Sequence, residues 1–514
     1  MRLVGHVIKT GIQLGAVRSR RWLSPAARQR RVLLRLLSTA AHTAFGRYYG
    51  FAPMLWQRDP VHAFRMNVPI HDYEKIHSEW WHRSRADEPN VCWPGIVPWY
   101  ALSSGTSNAA SKYVPVTRDL IRSMSRLSRQ VFFDMAHFNL PADLFTTQML
   151  MIGSTTSLQR EGQHWVGDLS GIIALNRPFW LKQYYRPERD ITDLPDWGER
   201  IERIAERAPQ WDIGFIVGNV AWVQMIIERI VERHGLKHIH ELWPNFSLLL
   251  HSGIFFEPYQ PTFEQLLGRP VQYVDSYLSS EGFIGYQRWP DIRLHQLAVN
   301  AGIFFEFVPF NDANFDDEGN LRPDAEALWL PDIEAGRPYA LLLSTEAGCW
   351  RYLLGDTIEF TDTERLLFRI TGRTKHFLSV TGEHVSVDNL NAALRAADTQ
   401  LHLGVKEFAV AAEPHGAYWA HHWYISAEHP EAHDPQLCAR LLDEHLQRIN
   451  DDYRTERQYA LRGVRVTLLP HHVFYQWLQQ HGKMNGQAKV PRVLKGKAQS
   501  SWENYLHQLP GQKR

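Results

Sequence analysis

Ser103-Ser104-Gly105-Thr106-Ser107, followed by Lys112, stands between a strand-like run, Ile96 to Leu102, and a helix start capped by Thr117. Hydroxyls and backbone amides on a tight turn, with an ammonium at its end, are the groups that meet phosphate oxygens. The same residue types also make up an ordinary solvated loop. No Walker frame fits them, and the nearest one elsewhere, Lys495-Gly496-Lys497-Ala498, has Pro491 in place of the first glycine and Ala498 in place of the hydroxyl. Two further strings carry usable chemistry. Tyr277-Leu278-Ser279-Ser280-Glu281 closes a strand with an aromatic ring, two hydroxyls and a carboxylate, groups suited to an adenine stack and a magnesium ion on a nucleotide. Tyr352-Leu353-Leu354-Gly355-Asp356 ends a strand with a carboxylate able to accept both ribose hydroxyls, and each string alone is equally an ordinary turn.

The elements that must position these groups exceed one core. A chain of 514 residues and 59.7 kDa implies two or more domains. With 44% hydrophobic residues, 22% charged residues and a net charge of +1, it reads as a folded, soluble protein with no basic surface for nucleic acid. Cys92, Cys349 and Cys438 are too few and scattered for a disulfide framework or a zinc site, and fit the cytoplasm. Eleven basic residues, from Arg2 to Arg58, precede the first acidic one, Asp59. A signal peptide fits this stretch poorly, and a transit peptide shares its composition. The favoured reading is an integral helix pair, because Ser24-Pro25 opens a helix whose stripe Val32, Leu33, Leu34, Leu36, Leu37, Ala40 and Ala41 must be buried. Weak contact of this basic stretch with an anionic membrane surface is compatible with it, but no run approaches the ~20 apolar residues of a span.

Strands at Thr147–Ser154, Phe246–Leu250 and Val271–Leu278 alternate with helices at Ile201–Ala208 and Asn219–His234, the pattern of an α/β layered domain. From Leu294 the chain turns strand-rich, with Gly302–Pro309, Ala340–Ser344, Trp350–Leu354 and a hairpin over Ile358–Ile370 predicting an antiparallel portion. Thr371-Gly372-Arg373-Thr374-Lys375 punctuates the chain. Beyond it come a helix (Val387–Ala397), two strands (Glu407–Ala412, Tyr418–Ala427), a helix (Gln436–Tyr453) and a strand (Val464–Leu469). The expected organisation is a large domain over 1–372, a hinge over 373–376 and a small α+β domain over 377–514. His421-His422 and His471-His472, read as strand pairs whose neighbours face opposite ways, are not expected to chelate a metal. No GxSxG elbow points to a hydrolase.

Taken in order, Ser-Ser-Gly-Thr-Ser with its lysine, Tyr-x-x-Ser-Glu-Gly, Tyr-x-x-Gly-Asp, Gly-Arg-x-Lys and a late lysine resemble the adenylate-forming superfamily of acyl-CoA synthetases, nonribosomal adenylation domains and luciferases. More narrowly, several strings resemble the acyl-acid amido synthetases of the Gretchen-Hagen auxin-responsive family. They are His42 to Arg47, Val68 to Glu74, Ser103 to Ser107, His251-Ser252-Gly253 with Glu257-Pro258-Tyr259, Phe304 to Pro309, Trp350 to Asp356, and Gln487-Ala488-Lys489-Val490-Pro491-Arg492. The resemblance runs from about residue 26 to about 495.

That resemblance implies an adenylate-forming fold with a small mobile C-terminal domain, and a two-step ligase. A carboxylic acid is adenylated with ATP and Mg2+, and the acyl group passes to an amine, an amino acid, as an amide. It further implies that Ser103, Ser104, Gly105, Thr106 and Ser107 hold the β- and γ-phosphates with Lys112 adding charge, Tyr277 stacks on adenine, and Ser280 lies beside the α-phosphate. Glu281 takes magnesium, Asp356 the ribose, and Arg373 the ribose or phosphate. Lys375 marks the hinge, and Lys489 reaches the α-phosphate and acyl carboxylate, with Lys483, Lys495 and Lys497 as competing lysines. Ala109 stands where the family carries glycine. Two alternatives stay open: an acyl-CoA ligase, and a nucleotide-binding protein without catalysis.

Overall fold

The computed structural model describes residues 2–18, 23–103, 112–177, 179–252, 256, 260–311, 313–316, 319–374, 377–378, 380–381, 383, 385–416, 418–480 and 490–508. These form two compact units, one ending at Thr374 and one made of the residues after it.

The first unit is built on an eleven-stranded sheet. Its parallel part comprises Tyr185–Arg186, Gln148–Met151, Ile213–Gly218, Leu248–Ser252 and Gln272–Ser279. From Gln272–Ser279 the pairing turns antiparallel through Gly282–Trp289, Ile292–Leu297, Leu367–Arg373, Tyr352–Asp362, Pro338–Thr345 and Ile303–Pro309. The α/β layers and the antiparallel portion expected from the sequence are thus one continuous sheet. Two expectations change. Antiparallel pairing begins before Leu294, at the tight hairpin whose turn is Ser280-Glu281, with Ser279 opposite Gly282. Trp350–Leu354 and the first arm of the hairpin at Ile358 are a single strand, Tyr352–Asp362: Pro338–Thr345 pairs with it up to Leu353 and again from Thr357, on either side of an irregularity that contains Gly355, and Leu367–Arg373 pairs with it from Asp356 on.

A separate four-stranded sheet carries Trp99–Ser103 at its centre, paired with Lys112–Val116 and His164–Gly167. Lys112 therefore opens a strand opposite Ser103 instead of ending a loop, and the hydroxyl-rich string joins two antiparallel strands. Thr117 caps the next helix, Arg118–Asp134, as its sequence predicts, by accepting from Leu120 N.

The arginine-rich beginning of the chain is part of the packing. Helix Pro25–Ala40, capped by Ser24, buries Leu33, Leu36, Leu37 and Ala40 completely in a core shared with Phe45, Phe64 and Trp350. Gln29 on the same helix is fully buried. Its amide donates to Val299 O (2.9 Å) and Ile303 O (2.8 Å), and its oxygen accepts from Phe305 N (2.7 Å), so one side chain completes the outer edge of the sheet.

In the second unit, strands Leu461–Pro470, Tyr418–Ala427, Phe408–His415 and Val493–Leu494 form one sheet in that order. Alternation gives it two apolar faces. Val410, Trp423 and Ile425 pack under helices Val387–Leu401, Pro435–Ile449 and Asp451–Tyr459, while Ala409, Ala411 and Tyr424 pack under His471–Gln480 and Gly496–His507. The single helix expected over Gln436–Tyr453 is two helices, because Asn450 is extended (φ −139°) and caps the second by accepting from Tyr453 N. His471-His472 opens a helix and is not a strand pair.

Gln29→Leu leaves two carbonyls and one N–H unpaired in a dry core. The expected loss is about 2–5 kcal/mol, read as a lower denaturant midpoint for the transition of the first unit. An unchanged midpoint would show that the helix is held by packing alone.

Candidate active site

Two strands adjacent in sequence place the first pair of charged groups. Tyr352–Asp362 and Leu367–Arg373 pair with Asp356 directly opposite Arg373. The preceding residue, Gly355, has φ +92°, a conformation that side chains rarely adopt. Arg373 Nε lies 2.7 Å from Asp356 Oδ1, and the Tyr277 hydroxyl donates to Asp356 Oδ2 at 2.5 Å. Burial pushes the Tyr277 hydroxyl well up, with the Asp356 charge adding to it, so the phenol keeps its proton and stays a donor. Its ring is 8% exposed and packs near His295 and Phe368, both at 6.2 Å between centroids.

The hairpin turn after Tyr277 supplies the third group. Glu281 is 6% exposed. Burial raises its pKa and the Asp356 charge adds to that, while the turn's own hydrogen bonds, Lys112 and Ser279 act the other way. Burial, with the Glu281 charge adding to it, pushes the Tyr352 hydroxyl well up, and the Tyr352 ring stacks on Trp81 at 5.6 Å. Lys112 extends over the Tyr73 ring, 5.3 Å from its centroid, and Tyr113 N donates to the Tyr73 hydroxyl at 2.9 Å, which fixes the strand that Lys112 opens. Lys112, Tyr277, Glu281, Asp356 and Arg373, drawn from four strands and a turn, thus converge, with Ser280 half-buried on that same turn. Ser103 ends its strand. Ser104, Gly105, Thr106, Ser107, Lys375 and Lys489 lie outside the described residues.

The scaffold under this cluster uses residues to which the sequence reading attached no role. Arg351 (φ +45°) is buried and pairs bidentately with Glu306, at 3.0 and 2.9 Å. Its remaining nitrogen donates to Arg65 O and Val68 O, both at 2.7 Å. His71 N donates to Arg351 O and its carbonyl accepts from Leu353 N, so the segment Val68–Tyr73 runs beside the strand that bears Asp356. Burial depresses the His71 pKa to about 4, so the ring is neutral at pH 7 and its Nδ1–H donates to Trp350 O at 2.9 Å. All three, His71, Glu306 and Arg351, sit inside strings that carried the family resemblance, which was the signal available for them.

A buried carboxylate beside a second one is the donor chemistry a hard divalent cation takes when phosphate oxygens complete its shell. Among the described residues, no group of three or more His, Cys, Asp or Glu side chains forms a metal site by itself. His421 instead pairs with Glu383 at 3.0 Å, and His422 with Glu413 and Thr467. Among the described residues, no helix is long and apolar enough to cross a membrane.

Comparison with known proteins gives three matches in chain order. The GH3 family N-terminal domain matches residues 23–152, its central domain residues 296–373 and its C-terminal domain residues 388–498. An indole-3-acetic acid-amido synthetase of Arabidopsis thaliana is 28% identical over 167 residues, 31% of this chain and 30% of that protein. A jasmonoyl-L-amino acid synthetase of Nicotiana attenuata is 26% identical over 293 residues, 52% of this chain and 47% of that protein. The chain thus spans less than half the length of these two relatives in alignment. The solved structure of an acyl acid amido synthetase in complex with 2,4-DB superposes with a TM-score of 0.58 at 17% identity, covering 98% of this chain and 96% of that one. A 2-hydroxyisobutyryl-CoA ligase superposes with a TM-score of 0.55 at 14% identity, over 94% and 93% of the two chains. The fold is therefore the α/β fold of adenylate-forming enzymes.

Because burial raises the Glu281 pKa, its ionised form costs stability above that pKa. Glu281→Gln removes this cost. The unliganded variant is expected to melt at a higher temperature than the parent at pH 7, with the gain shrinking as pH falls through the folded pKa and vanishing below the ordinary value of 4.5. A variant that melts lower at every pH would show instead that Glu281 is held by its neighbours.

Proposed function

The chain belongs to the GH3 family, and on that premise we propose that it is an ATP-dependent ligase that adenylates a carboxylic acid and transfers the acyl group to an amino acid. The observation that carries this reading is the convergence of Glu281, Asp356, Arg373, Tyr277 and Lys112 around one location of the first unit. In the first half-reaction a carboxylate oxygen attacks the α-phosphorus of ATP and pyrophosphate leaves. In the second the amine attacks the acyl carbon and AMP leaves. Both steps need charge neutralised and reactants aligned more than they need covalent help from the protein.

In this reading Asp356, already oriented by Tyr277 and Arg373, accepts the ribose hydroxyls, and Arg373 lies close to the ribose or phosphates. Lys112 adds positive charge at the end of the phosphate-binding string Ser103 to Ser107. Ser280 faces the α-phosphate. Tyr277 is assigned to the adenine face, although its hydroxyl is engaged by Asp356 and its ring by Phe368 and His295. Glu281 would hold magnesium, which when bound neutralises phosphate charge. The raised pKa of Glu281 is the sign of a carboxylate lacking a full cationic partner, and it supports that assignment. Lys375 is assigned to the hinge between large and small domains, and Lys489 to the α-phosphate and acyl carboxylate. We place the protein in the cytoplasm, in keeping with three free and buried cysteines. Any contact with an anionic membrane would fall to exposed basic residues such as Arg30 and Arg31, since the apolar stripe of their helix is buried inside the protein.

A screen of carboxylic acids for pyrophosphate release, followed by amino acids on the best acid, tests the proposal. The expected outcome is acid-dependent pyrophosphate, AMP as co-product and an amide identified by mass. Conversion of ATP to ADP, or pyrophosphate formed without acid, would sink it. A thioester as product when CoA is supplied, with no amide, would make it an acyl-CoA ligase. Glu281→Gln is expected to lower acid-dependent pyrophosphate release by on the order of a hundredfold or more, with the fold retained.

A further inference from the structure

A second chemically competent array lies wholly within the unit that follows Thr374. Three neighbouring strands of its sheet contribute Glu413, His422 and Thr467. His422 Nδ1 is 2.6 Å from Glu413 Oε1, and His422 Nε2 is 2.7 Å from Thr467 Oγ1. The Tyr424 hydroxyl also donates to Glu413 Oε1, at 3.1 Å, and the Tyr424 ring stacks on His422 with centroids 4.2 Å apart. A carboxylate only accepts, so the neutral imidazole carries its proton on Nδ1 and presents the lone pair of Nε2 to the threonine hydroxyl. That is the order of a nucleophile, a base and an orienting carboxylate.

Two features separate this array from a buried structural network. His422 and Glu413 keep 17% and 19% of their side-chain surface exposed and Thr467 is half-buried, whereas the Glu383–His421 pair on the opposite face of the sheet is sealed at 0%. Arg465 precedes Thr467 by two residues on the same strand, so it shares its face. Its guanidinium lies 3.7 Å from Glu413 and 3.1 Å from His415 Nδ1, and at 52% exposure it is a cation available to a developing oxyanion.

We propose that Thr467, His422 and Glu413 form a second acyl-accepting site, in which the Thr467 hydroxyl takes an acyl group from an activated ester. Thr467 Oγ1 attacks the acyl carbon, forming the new C–O bond. The bond to the leaving group breaks, and that group departs with the electron pair as p-nitrophenolate from a p-nitrophenyl ester or as AMP from an acyl adenylate. The hydroxyl proton passes to His422 Nε2. Glu413 is a positioning residue, holding the tautomer. None of these steps depends on the ligase reading.

The test treats the full chain with p-nitrophenyl acetate, follows the burst of p-nitrophenolate and locates the acetyl group by peptide mass spectrometry. The expected result is a burst of one equivalent, with acetyl on Thr467. Thr467→Val and His422→Gln are each expected to lower the burst rate about tenfold or more. Thr467→Ser keeps the burst and moves the label to the serine, which separates loss of chemistry from loss of fold. Acetylation confined to lysines, label on His422 with an undiminished burst in Thr467→Val, or equal rates in parent and His422→Gln would each overturn the proposal.

Discussion

The Arg351 guanidinium is the contact on which the placement of the first unit's charged cluster depends. It is buried, in a backbone conformation uncommon outside glycine, and it ties three segments together: the carboxylate of Glu306 on the edge strand, two carbonyls, of Arg65 and Val68, at the C-terminal end of helix Pro60–Asn67, and its own strand leading to Asp356. A buried charge is tolerated only when its partners are complete, and removing one partner of such a pair costs about 3–5 kcal/mol. The pair therefore acts less as a source of stability than as a statement of register. The placement of Val68–Tyr73 against the Asp356 strand gives every nitrogen of the Arg351 guanidinium an acceptor, and it also brings Tyr73 under Lys112 and against Tyr113.

Charge placement in the cluster follows from the same low-dielectric logic with the opposite balance. Asp356 is matched, with Arg373 on one oxygen and a phenol on the other. Glu281 is not matched to that degree, and its pKa rises because burial outweighs Lys112 and the turn amides. Keeping one carboxylate satisfied and its neighbour short of compensation costs stability wherever the second one ionises. Such tension is expected where function and packing compete for the same side chain.

The second unit solves a different problem with the same alternation of side chains. One face of its sheet is apolar throughout, apart from the sealed Glu383–His421 pair whose carboxylate also accepts from Val380 N, Thr381 N and the Thr381 hydroxyl and is held at a pKa of about 2. The other face is apolar only where Ala409, Ala411 and Tyr424 meet the last two helices, and it turns polar toward Glu413, His422 and Arg465. A sheet face left partly uncovered in this way keeps titratable groups in ordered contact with each other and with solvent.

Much of this was legible in the chain alone. The strings around Glu281 and Asp356 singled out charged residues that the fold brings together, the apolar stripe of Pro25–Ala40 required burial, and Thr117 and Ser24 announced their helices, because caps, stripes and strand ends are set by residues close together in sequence. The continuity of Tyr352–Asp362 through a glycine, the break at Asn450 and the strand beginning at Lys112 were decided by partners elsewhere, since a strand exists only through what it pairs with. The composition of the site belongs to the sequence. Its geometry belongs to the tertiary structure, because the Tyr277 hydroxyl meets Asp356 across 79 residues and Arg351 finds the Arg65 carbonyl across 286, and no local pattern encodes such a pairing.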